Sequence, residues 1–254
     1  MENMQVEHRV VLITGGAKGI GRAIALELAK YHYVIVVNYL HSKDEAEQLV
    51  EHIKEKYKTD CLAIQADVAK EEEVDSMVHN IELKFSQVDI LINNAAIDLA
   101  NLFHLKTASE FRKILDVNVV GAYNCARRVC DSMKENKFGK IINIASTNGI
   151  NTYFPMSFDY DASKAALISL THNLAWQCAP YVNVNAIAPG FIGTASELDG
   201  YDDEFLKAEC EKIMLKRYGQ PEEVAKLVRF LISDDAKYIN NSVIRIDGGQ
   251  IGSV

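Results

Sequence analysis

The stretch "TGGAKGIG" at residues 14–21 follows the apolar run "RVVLI" at residues 9–13 and leads into the helical pattern "GRAIALELAK". Gly15, Gly19 and Gly21 are its informative residues, because glycine lacks a Cβ and lets the backbone turn tightly and approach a diphosphate. A helix that begins here directs its free N–H groups and positive dipole end at that diphosphate. The segment therefore predicts a strand, a phosphate-binding turn and a helix. A glycine-rich turn without a ligand is the alternative interpretation.

Short apolar runs alternate with longer amphipathic segments along the rest of the chain. The runs are rich in Val and Ile and almost continuously apolar, which is typical of strands buried on both faces of a parallel sheet. They lie at residues 9–14, 33–38, 61–66, 88–93, 140–145, 182–187 and 242–246. This alternation predicts an α/β fold with a doubly wound parallel sheet of seven strands and helices on both faces. We find no linker or repeat, so we expect residues 1–254 to form a single domain.

The composition is that of a globular protein and narrows the possible partners. Apolar residues make up 48% of the 254 residues, and 27 basic and 35 acidic side chains give a net charge of −8. Without a basic block we expect no nucleic-acid partner, and no apolar run is long enough for a membrane span. The five cysteines, at positions 61, 125, 130, 178 and 210, contain no CxxC pair. They predict reduced thiols, no metal site and a cytoplasmic location.

The segment "YDASK" at residues 160–164 places a tyrosine four residues before a lysine in a helical pattern. Residues four apart lie on the same side of a helix, so Tyr160 and Lys164 are neighbours. By itself, this spacing fits either a catalytic pair or a routine contact on a helix surface.

Five motifs together resemble the short-chain dehydrogenase/reductase superfamily in their order and spacing. They are "TGGAKGIG", "NNAA" at 93–96, "IAS" at 144–146, "YDASK" and "APG" at 188–190. The resemblance covers essentially the whole chain and implies a Rossmann-type domain. The ending, residues 219–249, resembles that of the 3-oxoacyl-carrier-protein reductase branch.

The resemblance implies four catalytic residues for reduction of a carbonyl. Tyr160 would give its proton to the carbonyl oxygen, and Lys164 would lower the pKa of that tyrosine and hold the nicotinamide ribose. Ser146 would polarise the carbonyl oxygen. Asn118 would hold a water that links Lys164 to solvent.

The cofactor prediction depends on the end of the second strand. An acid there would bind the ribose hydroxyls of NAD, but Asn38 stands in its place, followed by His41 and Ser42. With Lys18 as a candidate cation for the 2′-phosphate, we predict a preference for NADPH. NAD remains the alternative, because two acids at positions 44 and 45 follow closely. The resemblance implies further cofactor contacts from Ile20, Asp67, Val68, Asn94, Ala95, Pro189, Gly190, Ile192 and Thr194.

A 3-oxoacyl thioester is the leading substrate expectation, with an acyl carrier protein as a candidate partner. Pro180 and Tyr181 occupy a region where carrier-protein reductases place a basic residue, and Lys137 and Lys140 are the remaining candidates for positive charge. A sugar or polyol dehydrogenase is the alternative, since "VVNYLHSKDEAE" at residues 36–47 resembles glucose dehydrogenases. A regulatory protein without turnover is disfavoured, because such relatives usually lack the tyrosine or the lysine.

The last expectations concern substrate specificity and oligomerisation. Substrate specificity is expected in residues 147–158 and in the irregular stretch 190–205, which is either a lid or a surface loop. The resemblance also implies a homotetramer, with residues 118–133 and 160–178 at one interface and the last strand with the tail 250–254 at the other.

Overall fold

Seven strands form one parallel sheet in the computed structural model, which describes residues 9–150 and 153–251. The strands are β1 (Val10–Ile13), β2 (Val34–Tyr39), β3 (Cys61–Gln65), β4 (Ile90–Asn93), β5 (Gly139–Ile144), β6 (Val182–Pro189) and β7 (Val243–Ile246). They follow the order β3-β2-β1-β4-β5-β6-β7. All seven predicted strands are confirmed, and the largest shifts are at the start of β4 and the end of β6.

Helices cover both faces of this sheet. They are α1 (Gly19–Ala29), α2 (Lys43–Tyr57), α3 (Glu71–Phe85), α4 (Ala108–Leu115), α5 (Gly121–Glu135), α6 (Phe158–Cys178), α7 (Ala195–Leu198), α8 (Asp203–Glu211) and α9 (Pro221–Ile232). A π-helical turn (Asp116–Val120) joins α4 to α5, and a 3₁₀ turn (Thr147–Gly149) follows β5. The stretch 190–205, predicted to be irregular, instead contains α7 and the start of α8. The doubly wound, Rossmann-type fold is confirmed.

The core consists of two layers, one on each face of the sheet. Val11 and Ile13 of β1 pack with α1, α2 and α9, whereas Val10 and Leu12 pack with α3, α5 and α6. All four residues of β1 are buried. Because alternate side chains of a strand point to opposite faces, a sheet covered on both faces needs apolar residues at every position. This explains the nearly continuous apolar runs.

The crevice for a ligand follows from the strand order. The chain winds outward from β1 to β3, returns to β4 beside β1, and then winds in the opposite direction. In open α/β sheets, ligands bind at this switch point, outside the carboxyl ends of the strands. The loops after β1, β4 and β5, which carry the predicted motifs, all lie at this edge.

Two expectations about individual side chains are wrong. The structure joins Cys130 of α5 to Cys178 of α6 as a disulfide, with the Cα atoms 6.3 Å apart, so the prediction that all cysteines are reduced thiols fails for this pair. Lys140 is 3% exposed, because it lies within β5 and its Nζ donates to Asn183 Oδ1 at 2.8 Å. It therefore presents no positive charge to a carrier protein.

Within the described ranges, we find no helix with the length and apolar character needed to span a bilayer.

Candidate active site

The glycine-rich loop is fixed to the end of β4 by Thr14. Its Oγ1 accepts hydrogen bonds from the backbone N–H groups of Asn94 and Ala95, each at 3.0 Å. The Asn94 side chain in turn donates to the carbonyl oxygens of Thr14 and Gly15, each at 3.0 Å. Asn94, predicted to lie beside the cofactor ribose, thus serves the loop itself. Sequence analysis missed the role of Thr14, whose signal was a hydroxyl side chain directly after a buried strand.

Two glycines of the loop are required by its geometry. Gly15 has a φ of +59°, and a Cβ there would lie 2.9 Å from Ala95 Cα. A Cβ on Gly21 would lie 2.7 Å from both Asn94 Nδ2 and the carbonyl oxygen of Gly15. Larger residues would therefore push the loop away from β4, so these glycines keep the crevice open and its backbone exposed.

The first turn of α1 fits a bound diphosphate. The residue before the helix, Lys18, makes no capping hydrogen bond through its side chain, and the first turn contains no acidic residue. The free N–H groups of this turn and the positive end of the helix dipole therefore point toward the crevice. Ile20 lies in the same turn with its side chain packed partly against the core.

Asn38 holds the loop instead of pointing toward a ribose. Its side chain is 2% exposed. Its Oδ1 accepts from Gly15 N at 3.3 Å and its Nδ2 donates to Ala66 O at 3.0 Å. The Asn38 side chain is therefore engaged with the glycine loop, and the contact of Asn38 with the cofactor stays a prediction. Its neighbours remain at the surface: His41 is exposed, and Ser42 precedes α2 without a capping bond.

Positive charge lies near the predicted 2′-phosphate position. Lys18 is exposed and forms an ion pair with Glu45 at 2.6 Å. Arg22, which sequence analysis did not single out, lies with Lys18 and Glu45 on the wall of one surface depression between α1 and α2. The signal for Arg22 was a second basic residue one turn after Lys18.

Other predicted cofactor residues divide into exposed and buried groups. Asp67 is partly exposed, whereas Val68 is 5% exposed and would contact any Cβ placed on Gly121 of α5. Ile192 is likewise 5% exposed, and Pro189 is buried at the end of β6. Their side chains are parts of the core. The remaining predicted contacts, which are partly exposed near the crevice, are Ala95, Gly190 and Thr194.

Lys164 is the buried cation of the site. It is 3% exposed, and its Nζ donates to the carbonyl oxygen of Ile144 at 2.8 Å. Because burial disfavours the charged form, the pKa of Lys164 is lowered to about 8. This places its titration close to the pH range in which enzymes work.

Tyr160 lies near this ammonium group, and Ser146 follows the strand end that binds it. Lys164 Nζ is 5.3 Å from the centre of the Tyr160 ring, and Ser146 follows Ile144 by two residues. Ser146 Oγ accepts from Asn148 N at 3.2 Å, which leaves its proton for donation. A Cβ on Gly149 would lie 2.6 Å from the backbone of Lys164, so glycine allows the turn that carries Ser146 to touch α6.

Asn118 is connected to the same helix from the opposite side. It lies in the π-helical turn and is 1% exposed. Its Nδ2 donates to Ser163 Oγ and to Ile97 O, each at 3.0 Å, and its Oδ1 accepts from Ile97 N at 2.8 Å. The structure therefore brings Asn118, Ser146, Tyr160 and Lys164 together. Ser163, the link between Asn118 and α6, was not predicted.

Comparisons with known proteins find relatives that match almost the whole chain. The family model described as enoyl-(acyl carrier protein) reductase matches residues 15–250. The chain is 40% identical over 244 residues to 3-oxoacyl-[acyl-carrier-protein] reductase FabG of Staphylococcus epidermidis, covering 96% of this chain and 99% of that enzyme. It is 32% identical over 245 residues to glucose 1-dehydrogenase 2 of Bacillus subtilis, covering 95% and 94%. The solved structure of ElxO with NADP bound has a TM-score of 0.88 and 32% identity, covering 95% and 98%.

A phosphate-binding crevice beside a partly exposed Tyr160 and a buried Lys164 defines a dinucleotide-dependent oxidoreductase. With a family model and full-length relatives matching, the chain belongs to the short-chain dehydrogenase/reductase superfamily.

Lys164→Met tests whether the buried ammonium group costs stability. Below about pH 8 the folded protein carries a buried charge on Lys164. Between pH 8 and 10.5 this lysine is mostly neutral in the folded state but still protonated in the unfolded chain. The free energy of unfolding of the wild type therefore rises with pH over this range. The pKa difference corresponds to about 3 kcal/mol, and losing the bond to Ile144 O offsets about 1 kcal/mol. We expect the variant to gain about 2 kcal/mol at pH 7 and to lose this advantage toward pH 10.

Urea unfolding at both pH values measures this difference. Lys226→Met, at an exposed position on α9, is the matched control and should change little at either pH. A variant less stable than the wild type at pH 7 would contradict the prediction.

Proposed function

We propose that this protein reduces the ketone of a 3-oxoacyl thioester to a secondary alcohol with NADPH, as a single-domain enzyme. The observation that carries the proposal is the buried Lys164, held by Ile144 O with Tyr160 one turn away and Ser146 two residues beyond Ile144. When bound, the dinucleotide supplies the hydride that becomes the new C–H bond. The chain must then hold the carbonyl and provide one proton.

Tyr160 and Ser146 act on the carbonyl oxygen in this proposal. The Ser146 hydroxyl donates a hydrogen bond that polarises the carbonyl, and the Tyr160 phenol gives its proton to the oxygen as negative charge develops. Lys164 favours the resulting phenolate by its positive charge. An ammonium group has three N–H donors, so Lys164 can also hold the nicotinamide ribose while it donates to Ile144 O.

Asn118 connects this proton donor to solvent in the proposal. Its side chain fixes the π-helical turn to α6 through Ser163. A π-helical turn in a helix displaces the backbone and often marks a functional position. We propose that a water held at this turn returns a proton to Tyr160 through Lys164.

The NADP preference is supported by the surface after β2. Asn38 stands in place of an acid, and its side chain is hydrogen-bonded to the glycine loop. Ser42 at the start of α2 makes no capping hydrogen bond through its side chain. Lys18 and Arg22 line the adjacent depression. The ElxO structure contains NADP. We therefore assign the 2′-phosphate to the region of Lys18, Ser42 and His41.

The thioester substrate is supported by the 40% identity to a 3-oxoacyl-[acyl-carrier-protein] reductase. A glucose 1-dehydrogenase is 32% identical, which keeps a sugar substrate as the second candidate. Docking of an acidic carrier protein would need positive charge at the surface, and Arg127 and Arg128 of α5 are already paired with Glu71 and Glu82 of α3. The cytoplasmic location stays a prediction.

A homo-oligomer is supported by exposed aromatic residues on the helices predicted to form one interface. Trp176 of α6 is 82% exposed and Tyr123 of α5 is 46% exposed in the single chain. Contact with a second copy would bury them. Of the other predicted interface, residues 252–254 lie outside the described residues, so only β7 and tail residues 250 and 251 can be placed.

Tyr160→Phe tests the chemical step. The variant loses the transferable proton and keeps the ring, so we expect kcat for NADPH-dependent reduction of an acetoacetyl thioester to fall by about 10² to 10⁴, with NADPH affinity within about twofold. Tyr238→Phe, at a fully exposed position outside the site, is the matched control and should keep wild-type activity. Retained activity in Tyr160→Phe would refute the proposed role. If the wild type reduces no thioester, oxidation of glucose and polyols is the next assay.

Lys18→Met tests the 2′-phosphate site. Since only NADPH carries this phosphate, we expect its Kd to rise about tenfold, or about 1.4 kcal/mol, with the Kd of NADH unchanged. Fluorescence titration measures both values. Lys54→Met, near the far end of α2, is the control. Equal weakening for both dinucleotides would place the phosphate elsewhere.

Trp176 reports on the interface because it is the single tryptophan of the chain. If α5 and α6 pair with a second copy, its emission should be blue-shifted and poorly quenched by acrylamide. With both predicted interfaces formed, light scattering should give about four times the chain mass of 28.3 kDa. Free quenching together with the mass of one chain would exclude the oligomer.

A further inference from the structure

A fully buried ion pair lies at the start of α6, directly before Tyr160. Lys106 Nζ is 2.7 Å from Asp159 Oδ2, and the two side chains are 2% and 0% exposed. Among the ion pairs of the described residues, this is the one in which both side chains are buried. Burying two charges is costly unless each is well compensated. A pair kept at this cost beside a catalytic tyrosine therefore calls for a functional explanation.

The contacts of the pair connect it to the backbone of Tyr160. Asp159 Oδ1 accepts from Tyr160 N at 3.0 Å. Asp159 Oδ2 meets Lys106 as an ion pair without the angles of a hydrogen bond, so their attraction is mainly one of charge. Lys106 Nζ also donates to Leu99 O. The pair therefore joins the loop after β4 to the first turn of α6.

The surroundings of Tyr160 are rich in carboxylates. Asp98 accepts from Ser157 Oγ at 2.7 Å, and Asp161 accepts from Asn148 Nδ2 at 2.7 Å. The pKa of Asp161 is raised, first by burial and further by the charges of Asp98 and Asp159. The charge of Asp159 is thus felt by a side chain two residues away on the same helix.

Few cations oppose these three carboxylates. The buried ones near the first turn of α6 are Lys106 and Lys164. The charged side chains on α4 and the π-helical turn are at least partly exposed and are therefore better screened by water; they are Glu110, Arg112, Lys113 and Asp116. On the neighbouring α5 and β5, Arg127 and Arg128 pair with α3, and Lys140 bonds to Asn183.

We propose that Lys106 is a positioning residue whose charge offsets Asp159 and thereby sets the pH at which Tyr160 loses its proton. The inference rests on the proposed role of Tyr160 as proton donor. Without Lys106, a buried carboxylate beside Tyr160 disfavours the phenolate. Without Asp159, the buried ammonium group favours it. The two single substitutions therefore act in opposite directions.

Ultraviolet titration of the phenolate in the full chain tests this, with each protein compared to its own Tyr160→Phe counterpart so that the difference reports Tyr160. We expect the midpoint to rise by about one pH unit in Lys106→Met and to fall by about one unit in Asp159→Asn. The double variant Lys106→Met/Asp159→Asn should return to the wild-type midpoint. Lys113→Met, which removes an exposed lysine of α4, is the matched control and should leave the midpoint unchanged.

A pair that only stabilises the fold would lower the melting temperature of both single variants without moving the midpoint, and this result would overturn the proposal. Shifts in the same direction would also overturn it. Where Lys106→Met does not fold, Lys106→Gln replaces it, because glutamine keeps a donor for Leu99 O; the same upward shift is expected. The titration needs no substrate, so a chain that reduces no carbonyl still answers the question. If the protein reduces the thioester but the titration midpoint of Tyr160 does not move in the variants, this inference fails and the proposed function stands.

Discussion

The hydrogen bond from Lys164 Nζ to the carbonyl oxygen of Ile144 is the interaction on which the site depends. It holds an ammonium group in the interior, where charge is costly, at the place where β5 meets α6. This contact joins the strand end that leads to Ser146 to the helix that carries Tyr160, and the bond from Asn143 of β5 to Thr171 of α6 joins the same two elements farther from the site. The fold supplies the compensation: the sheet provides a rigid carbonyl, and the small Gly149 lets the intervening turn come close.

In the glycine loop, polar side chains fix the structure and backbone N–H groups are left to bind a ligand. The polar side chains of Thr14, Asn38 and Asn94 bind its backbone and fix its shape. The loop is thus shaped before any ligand arrives, and the N–H groups of α1 remain for the phosphates. Such preorganisation spares a bound dinucleotide the entropy of ordering the loop.

Much of this architecture could be predicted from the sequence, since strands buried on both faces leave a continuous apolar signal and the motifs have fixed spacings. Pairings between distant residues could not. Asn38 stands where a ribose contact is expected, yet its amide is bound by Gly15 and Ala66. Likewise, nothing in the pattern around Lys106 indicates a partner 53 positions away at Asp159. Cys130 and Cys178 were missed because their proximity comes only from the packing of α5 on α6.

The π-helical turn at Asp116–Val120 has a geometric consequence for the long helical segment around it. Each residue of an α-helix advances the side-chain direction by about 100°, so the extra residue held in this turn rotates α4 against α5 by about that angle. Deleting one residue here would restore a regular helix and rotate one of its halves by about 100° from its present orientation. The π-helical turn thus sets the rotation of α5 about the helix axis relative to α4.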